Sequence, residues 1–347
     1  MSLAILGLLT LAAVEAAPLV PGAGGQARSV VALAVASDRR LETEAAAATL
    51  ALQQLLENDV RFQGIELSAR ARGETTALRA GKAERARERV EEALDLIDEM
   101  QGKAALQKAT EAVSLYEEAD LSLAFPGLLE AIAARAFAAH SEGWMAEAWT
   151  ELARLFALRP DYELDPLRLT PELASLAEQA RAKARESPRL SLAVRSLPVP
   201  ALVFVDGLFR GVTPLEVGGL APGSHYLTLS APGYALAQTS HPAGLGTPLE
   251  LSLEPAAAEA GLLQLLERLR ASAPSESAEA AAALARWAGA EETLVARLSK
   301  RAEGTWAVVS RWDSQGRALG SHERALGSPE AIEELALAAF LEPNPAA

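Results

Sequence analysis

Few side chains in this sequence are spaced for chemistry. The run VFVDGLFRGVTPL, Val203–Leu215, sets Asp206 in a short apolar stretch, where an acid could be held in a site. Acid–base catalysis would need a second titratable group within hydrogen-bond reach of it. No His, Lys or second acid lies near Asp206 in sequence, and Gly207 follows it directly. Asp-Gly between two apolar runs signals a two-residue hairpin, because a type I′ turn needs positive φ at both positions. Asp206 is therefore expected at an exposed turn tip, with no catalytic duty.

The other candidates are as spare. His140, His225, His241 and His322 form no H-x-x-x-H or other ligand pair, so no dedicated zinc site is expected. Asp161, Glu163, Asp165 and Glu172 occupy positions 1, 3, 5 and 12 of an EF-hand-like frame. Position 6 is Pro166 where glycine is needed, and Arg168 and Pro171 lie inside the loop. A polar link between helices is the preferred reading, with Glu172 facing a positive helix end. No G-x-S-x-G, Walker loop or Rossmann fingerprint occurs, and Gly22-Ala23-Gly24-Gly25 precedes a strand, the wrong order for a phosphate cradle. No catalytic residue, metal or cofactor is expected. Trp144 and Trp149 lie near a helical bend and are candidates for lining a partner's peptide groove. Core packing competes with that reading, since Trp is mostly buried.

Composition narrows the class. The chain has 347 residues, enough for two or three domains, and half are hydrophobic, so a sizeable core is possible. The net charge of -14 disfavours a nucleic-acid partner, which would call for a basic face. The most basic run, Arg70, Arg72, Arg79, Lys82, Arg85, Arg87 and Arg89, is interleaved with Glu74, Glu84 and Glu88 and reads as a solvated helix face. The absence of cysteine excludes disulfides and thiolate catalysis.

The apolar run Leu3–Val14 is too short to span a bilayer, and Val14-Glu15-Ala16 suits cleavage after Ala16. Residues 1–16 are expected to be a signal peptide, although the run is preceded by no Lys or Arg. No other segment is expected to cross a membrane, and the mature protein is expected in the periplasm or outside the cell.

The elements that position these residues fall into blocks. Val30–Ala36 reads as a strand buried on both faces, Leu41–Glu57 as a helix, and Val60–Leu67 as a strand with a bulge at Gly64. Helices follow from about Glu74 to Glu186, including Glu84–Met100, Lys103–Glu118, Leu128–Ala139 and Met145–Leu158. Thr170 is an N-cap with Pro171 at the first helical position. Short links imply stacked antiparallel hairpins. Ala136, Ala148, Leu152, Leu155 and Pro160 resemble one degenerate tetratricopeptide repeat.

From Leu190 to Leu253, strand-like runs are cut by Gly and Pro turns. The expected strands are Leu190–Arg195, Leu202–Val205, Leu208–Arg210, His225–Ser230 and Leu249–Leu253. Pro198 and Ala201, the VFVDG turn, GVTPL and GLAPGSHYLTLSAPGY together resemble the PEGA domain. Gly207, Gly211, Thr213, Pro214, Gly223, His225, Gly233 and Tyr234 match its pattern, while Val199 and Pro200 depart from it. The resemblance implies a small β-sandwich, found mostly in extracytoplasmic bacterial proteins and used for binding or spacing.

The C-terminal part reads as helices Ala258–Ser272 and Ala278–Trp287, then strands Thr293–Lys300, Trp306–Trp312 and Ala318–Ala325. A last helix is capped by Ser328 with Pro329 at its first position. Neither end buries enough apolar surface alone, so the two are expected to pair. LARWAGAEETLVARLSK and TWAVVSRWDSQGRAL are then similar to a TolB-type amino-terminal domain and to curli-secretion channel proteins.

The expected fold class is α+β multidomain. Residues 28–70 plus 275–340 make a split α/β domain, 74–187 a helical array, 190–254 a PEGA sandwich and 255–274 a linker helix. The expected function is non-enzymatic binding or scaffolding in the bacterial cell envelope, with envelope proteins or peptidoglycan as partners. The alternative is an oligomerising subunit of an envelope assembly, secretion or motility complex.

Overall fold

The computed structural model describes residues 27–256, 260–273, 276–327 and 331–341. The expected signal peptide and the Ser328-Pro329 helix start lie outside the described residues. Helices and three β-sheets make an α+β protein.

Strand β1 (Arg28–Ala36) is the apolar run, with Val30, Val31 and Ala32 fully buried. Asp38 accepts the Arg40 N–H and starts a short 3-10 turn that leads into α1 (Glu42–Asn58). Strand β2 covers only Phe62–Gly64. The longer strand expected over Val60–Leu67 does not form: Val60 is exposed, and Leu67 is buried as the first residue of the next helix. At Gly64 the strand ends instead of bulging.

Five helices follow: α2 (Leu67–Asp98), α3 (Gly102–Glu118), α4 (Leu121–Ser141), α5 (Met145–Leu158) and α6 (Pro171–Glu186). Each packs on the next through an Ala-rich seam that includes Ala86, Ala109, Ala131, Ala134 and Ala177. Small side chains let the helix axes approach closely. Thr170 caps α6 by accepting the Leu173 N–H at 3.2 Å.

Contrary to the sequence expectation, α4 is long and apolar enough to cross a membrane. Most of that stretch is buried between neighbouring helices, where Leu128, Ile132 and Ala136 are fully covered.

Two small sheets come next, built from β3 (Leu190–Leu197), β4 (Leu202–Val205), β5 (Leu208–Val212), β6 (Leu215–Leu220), β7 (Ser224–Ser230), β8 (Ala237–Pro242) and β9 (Leu249–Ser252). Their orders are β6-β3-β9 and β5-β4-β7-β8. Val194, Val203, Val205, Val217, Leu227 and Leu229 fill one core shared by both sheets. Strands β6 and β8 lie outside the expected set: the alternation of β6 stops after Leu215 and Val217 at Gly218 and Gly219, and β8 reads AQTSHP, with no apolar alternation.

The chain then returns to its beginning through α7 (Ala260–Ala271), α8 (Ala278–Ala288), β10 (Glu292–Arg301), β11 (Gly304–Asp313), β12 (Ala318–Ala325) and α9 (Ala331–Leu341). One sheet runs β12-β11-β10-β1-β2. Strands β1 and β10 are parallel, with Val30 opposite Glu292 and Ala36 opposite Leu298. Helices α1 and α9 cover one face, and α7 and α8 the other. The linker role expected for residues 255–274 is corrected here. Leu262, Leu266 and Leu269 of α7 are buried beside Val31, Leu33 and Val35, at about 1.5–3 kcal/mol of stabilisation for each fully buried leucine.

Candidate functional site

Asp206 and Gly207 have φ of 52° and 73°, as a type I′ turn requires. The turn is not exposed, however. Asp206 is 3% exposed, and its Oδ2 lies 2.6 Å from His225 Nδ1. Its Oδ1 accepts the Tyr226 N–H at 2.9 Å, and its own N–H donates to the Tyr226 carbonyl at 2.9 Å. The expectation of a bare turn tip is overturned because a helix face covers the turn. The partner histidine was missed because it lies nineteen positions along the chain.

His225 is also buried, and its Nε2 lies 2.8 Å from the Ala221 carbonyl. Burial alone would lower its pKa, but the hydrogen bond and charge of Asp206, with the Ala221 carbonyl, outweigh burial and leave it raised. Both ring nitrogens are engaged within the fold. His241 stands opposite His225 in the β7–β8 pair, so two of the four histidines are brought together.

The turn is seated on the helices. Gly207 packs against Phe125 of α4, and the Asp206 carbonyl accepts Arg159 Nη2 at 3.1 Å from the end of α5. Beside it, Phe125 meets Tyr226 edge-on at 6.1 Å between ring centroids. The Tyr226 hydroxyl donates to Glu117 at 2.5 Å, and Arg154 binds both. Burial, then the Glu117 hydrogen bond, pushes the Tyr226 phenol well above its ordinary value. Gln238 of β8 completes the junction: its amide donates to the Glu117 carbonyl at 2.8 Å, and its oxygen accepts the Leu121 N–H at 3.1 Å. That bond satisfies a donor at the start of α4.

Two open cavities flank this junction. One, of about 480 Å³, runs between α2 and α4 over the end of α3, with Ala83, Tyr116 and Gly127 lining it and Arg87, Leu123 and Glu130 also on its wall. The second, of about 400 Å³, lies between α2 and β8 and includes Lys82, Glu118 and Ser240. Arg79 lines both.

Trp144 and Trp149 do not share a face. Trp144 precedes α5 at the surface, while Trp149 is half-buried against the helical core with Lys183 5.6 Å from its ring centre. Asp165 accepts the Leu167 N–H at 3.0 Å and pairs with Arg168 at 3.5 Å. Among the described residues, no group of three or more His, Asp or Glu side chains is placed to hold a metal ion.

No curated protein and no solved structure matches the chain. The family model of the PEGA domain matches residues 189–255, about a fifth of the chain, so the β module clamped by Asp206 and His225 is a PEGA domain.

Proposed function

We propose that the protein is a non-enzymatic scaffold of the bacterial cell envelope, working in the periplasm or outside the cell. It holds protein partners or cell-wall polymer. The observation that carries this reading is the seat of the PEGA domain. Tyr226, Glu117, Arg154 and Gln238 tie it to α3, α4 and α5, so the helices and the PEGA surface are presented together. The adjoining groove has an apolar floor and a mixed-charge rim, which suits a polypeptide better than a small substrate.

Further features support the finer parts. Successive packing of α2 to α6, with Ala136, Ala148, Leu152 and Leu155 buried, supports the tetratricopeptide-like reading of the array. The β1–β10 pairing supports a TolB-type likeness for the two ends. The apolar leader and the net charge of -14 support an exported protein with no nucleic-acid partner.

The test is site-specific photo-crosslinking in cells. A crosslinker at Leu123, 79% exposed on the groove, is compared with one at Val60, 85% exposed and away from it. Capture of one defined envelope protein, or of peptidoglycan fragments, from Leu123 and not from Val60 supports the reading. Equal capture from both positions, together with no co-sedimentation with purified peptidoglycan, overturns it.

A further inference from the structure

His225 offers its two ring nitrogens to acceptors: Asp206 Oδ2 and the Ala221 carbonyl. A neutral imidazole carries one N–H and can serve only one of them. The imidazolium serves both. Asp206 opens the turn at the tip of the β4–β5 hairpin and His225 lies beside it on β7, while Arg159 and Phe125 hold that same turn against α5 and α4.

We propose that Asp206 and His225 form a pH-sensitive latch, closed while His225 is doubly protonated and loosened when it gives a proton to solvent, that ties the β4–β5 turn to β7 and so keeps it shaped for its seat on Phe125 and Arg159. Loss of the proton leaves one buried acceptor without a donor and leaves the Asp206 carboxylate without its counter-charge. An unsatisfied buried group of this kind is costly.

The surrounding charges are one-sided. Asp206 is the negative group in contact with the ring. Arg210 of β5 opposes the imidazolium, and Arg159 reaches the same turn from α5. His241 of β8 stands opposite His225 in the β7–β8 ladder, with its Nε2 buried and unpartnered, while α4 contributes the uncharged Phe125. The closed state therefore depends on the Asp206 carboxylate. The raised pKa of His225 agrees in sign. The latch is fully closed below the unfolded histidine value of about 6.5 and is lost as pH rises through the higher folded value.

The test uses the full chain. Ring-nitrogen NMR gives the protonation of His225 from about pH 5 to about pH 9. Hydrogen exchange, corrected for its intrinsic pH dependence, follows residues 203–212. The expected result is two ring N–H groups at the acid end, and a drop in hairpin protection of about tenfold or more at the His225 midpoint. In His225→Gln that step disappears. A single ring N–H at the acid end, protection that does not change at the midpoint, or a step that survives in His225→Gln would each overturn the latch. If His225→Gln does not fold, the coincidence of the two curves in the unmodified protein decides the matter alone.

Discussion

Phe125 and Gly207 meet so closely that a Cβ added at Gly207 would lie 2.4 Å from the Phe125 Cβ. The contact is made by a residue with φ of 73°, so glycine is needed there for two separate reasons. Gly207→Ala should lose about 1–2 kcal/mol to the left-handed backbone and a further ~1–3 kcal/mol to the clash. Gly219→Ala is the matched comparison, with φ of 78° and nothing within 4 Å of the added carbon. It should show the backbone cost alone. Urea unfolding of both variants checks this, and equal losses would mean that the helix face gives way.

Replacing Asp206 by Asn keeps its shape and removes its charge. The raised pKa of His225 rests on that charge and on the hydrogen bond it strengthens. Asp206→Asn should therefore lower the His225 midpoint. Because stability from a raised pKa is lost as pH climbs through the folded value, the alkaline fall in stability should move to lower pH in the variant. Unfolding curves across the pH range, beside an NMR titration, measure both shifts. An unmoved midpoint would assign the raised value to the Ala221 carbonyl.

Tyr226 and Glu117 join the PEGA domain to α3, but Glu117 and Arg154 are each partly exposed. Solvent screening discounts the ionic part. Tyr226→Phe should cost only about 0.5–1.5 kcal/mol. A double-mutant cycle with Glu117→Gln should return a coupling of about 0.5 kcal/mol or more. Additive losses would show that the hydroxyl serves Arg154 in place of Glu117.

Glu292 and Arg311 form a different kind of pair on the five-stranded sheet. Both are more than nine-tenths buried, their ionic contact is 3.6 Å, and Arg311 Nε and Nη1 have no hydrogen-bond partner. Burial pulls the Arg311 guanidinium below its ordinary value. Glu292→Ala should cost about 3–5 kcal/mol, because it strands a buried cation. The double change Glu292→Leu with Arg311→Met should be neutral or stabilising by about 1–4 kcal/mol. Thermal unfolding of the two variants, read side by side, gives the sign directly.

The sequence by itself determined several local conformations. Asp206-Gly207 prefers positive φ whatever surrounds it, Thr170-Pro171 starts a helix, and Val30–Ala36 is too apolar to lie on a surface. These preferences are settled by sterics and hydrogen bonds within a few residues. The PEGA pattern was legible for the same reason, since it is a string of turns.

Only the tertiary structure decided which groups meet. Val30 lies opposite Glu292, α7 buries its leucines under β1, β8 forms without an apolar stripe, and His225 closes on Asp206. Each of these is driven by burial against residues far along the chain. A buried acid and histidine can shift each other's protonation only after distant segments have packed and shut out water.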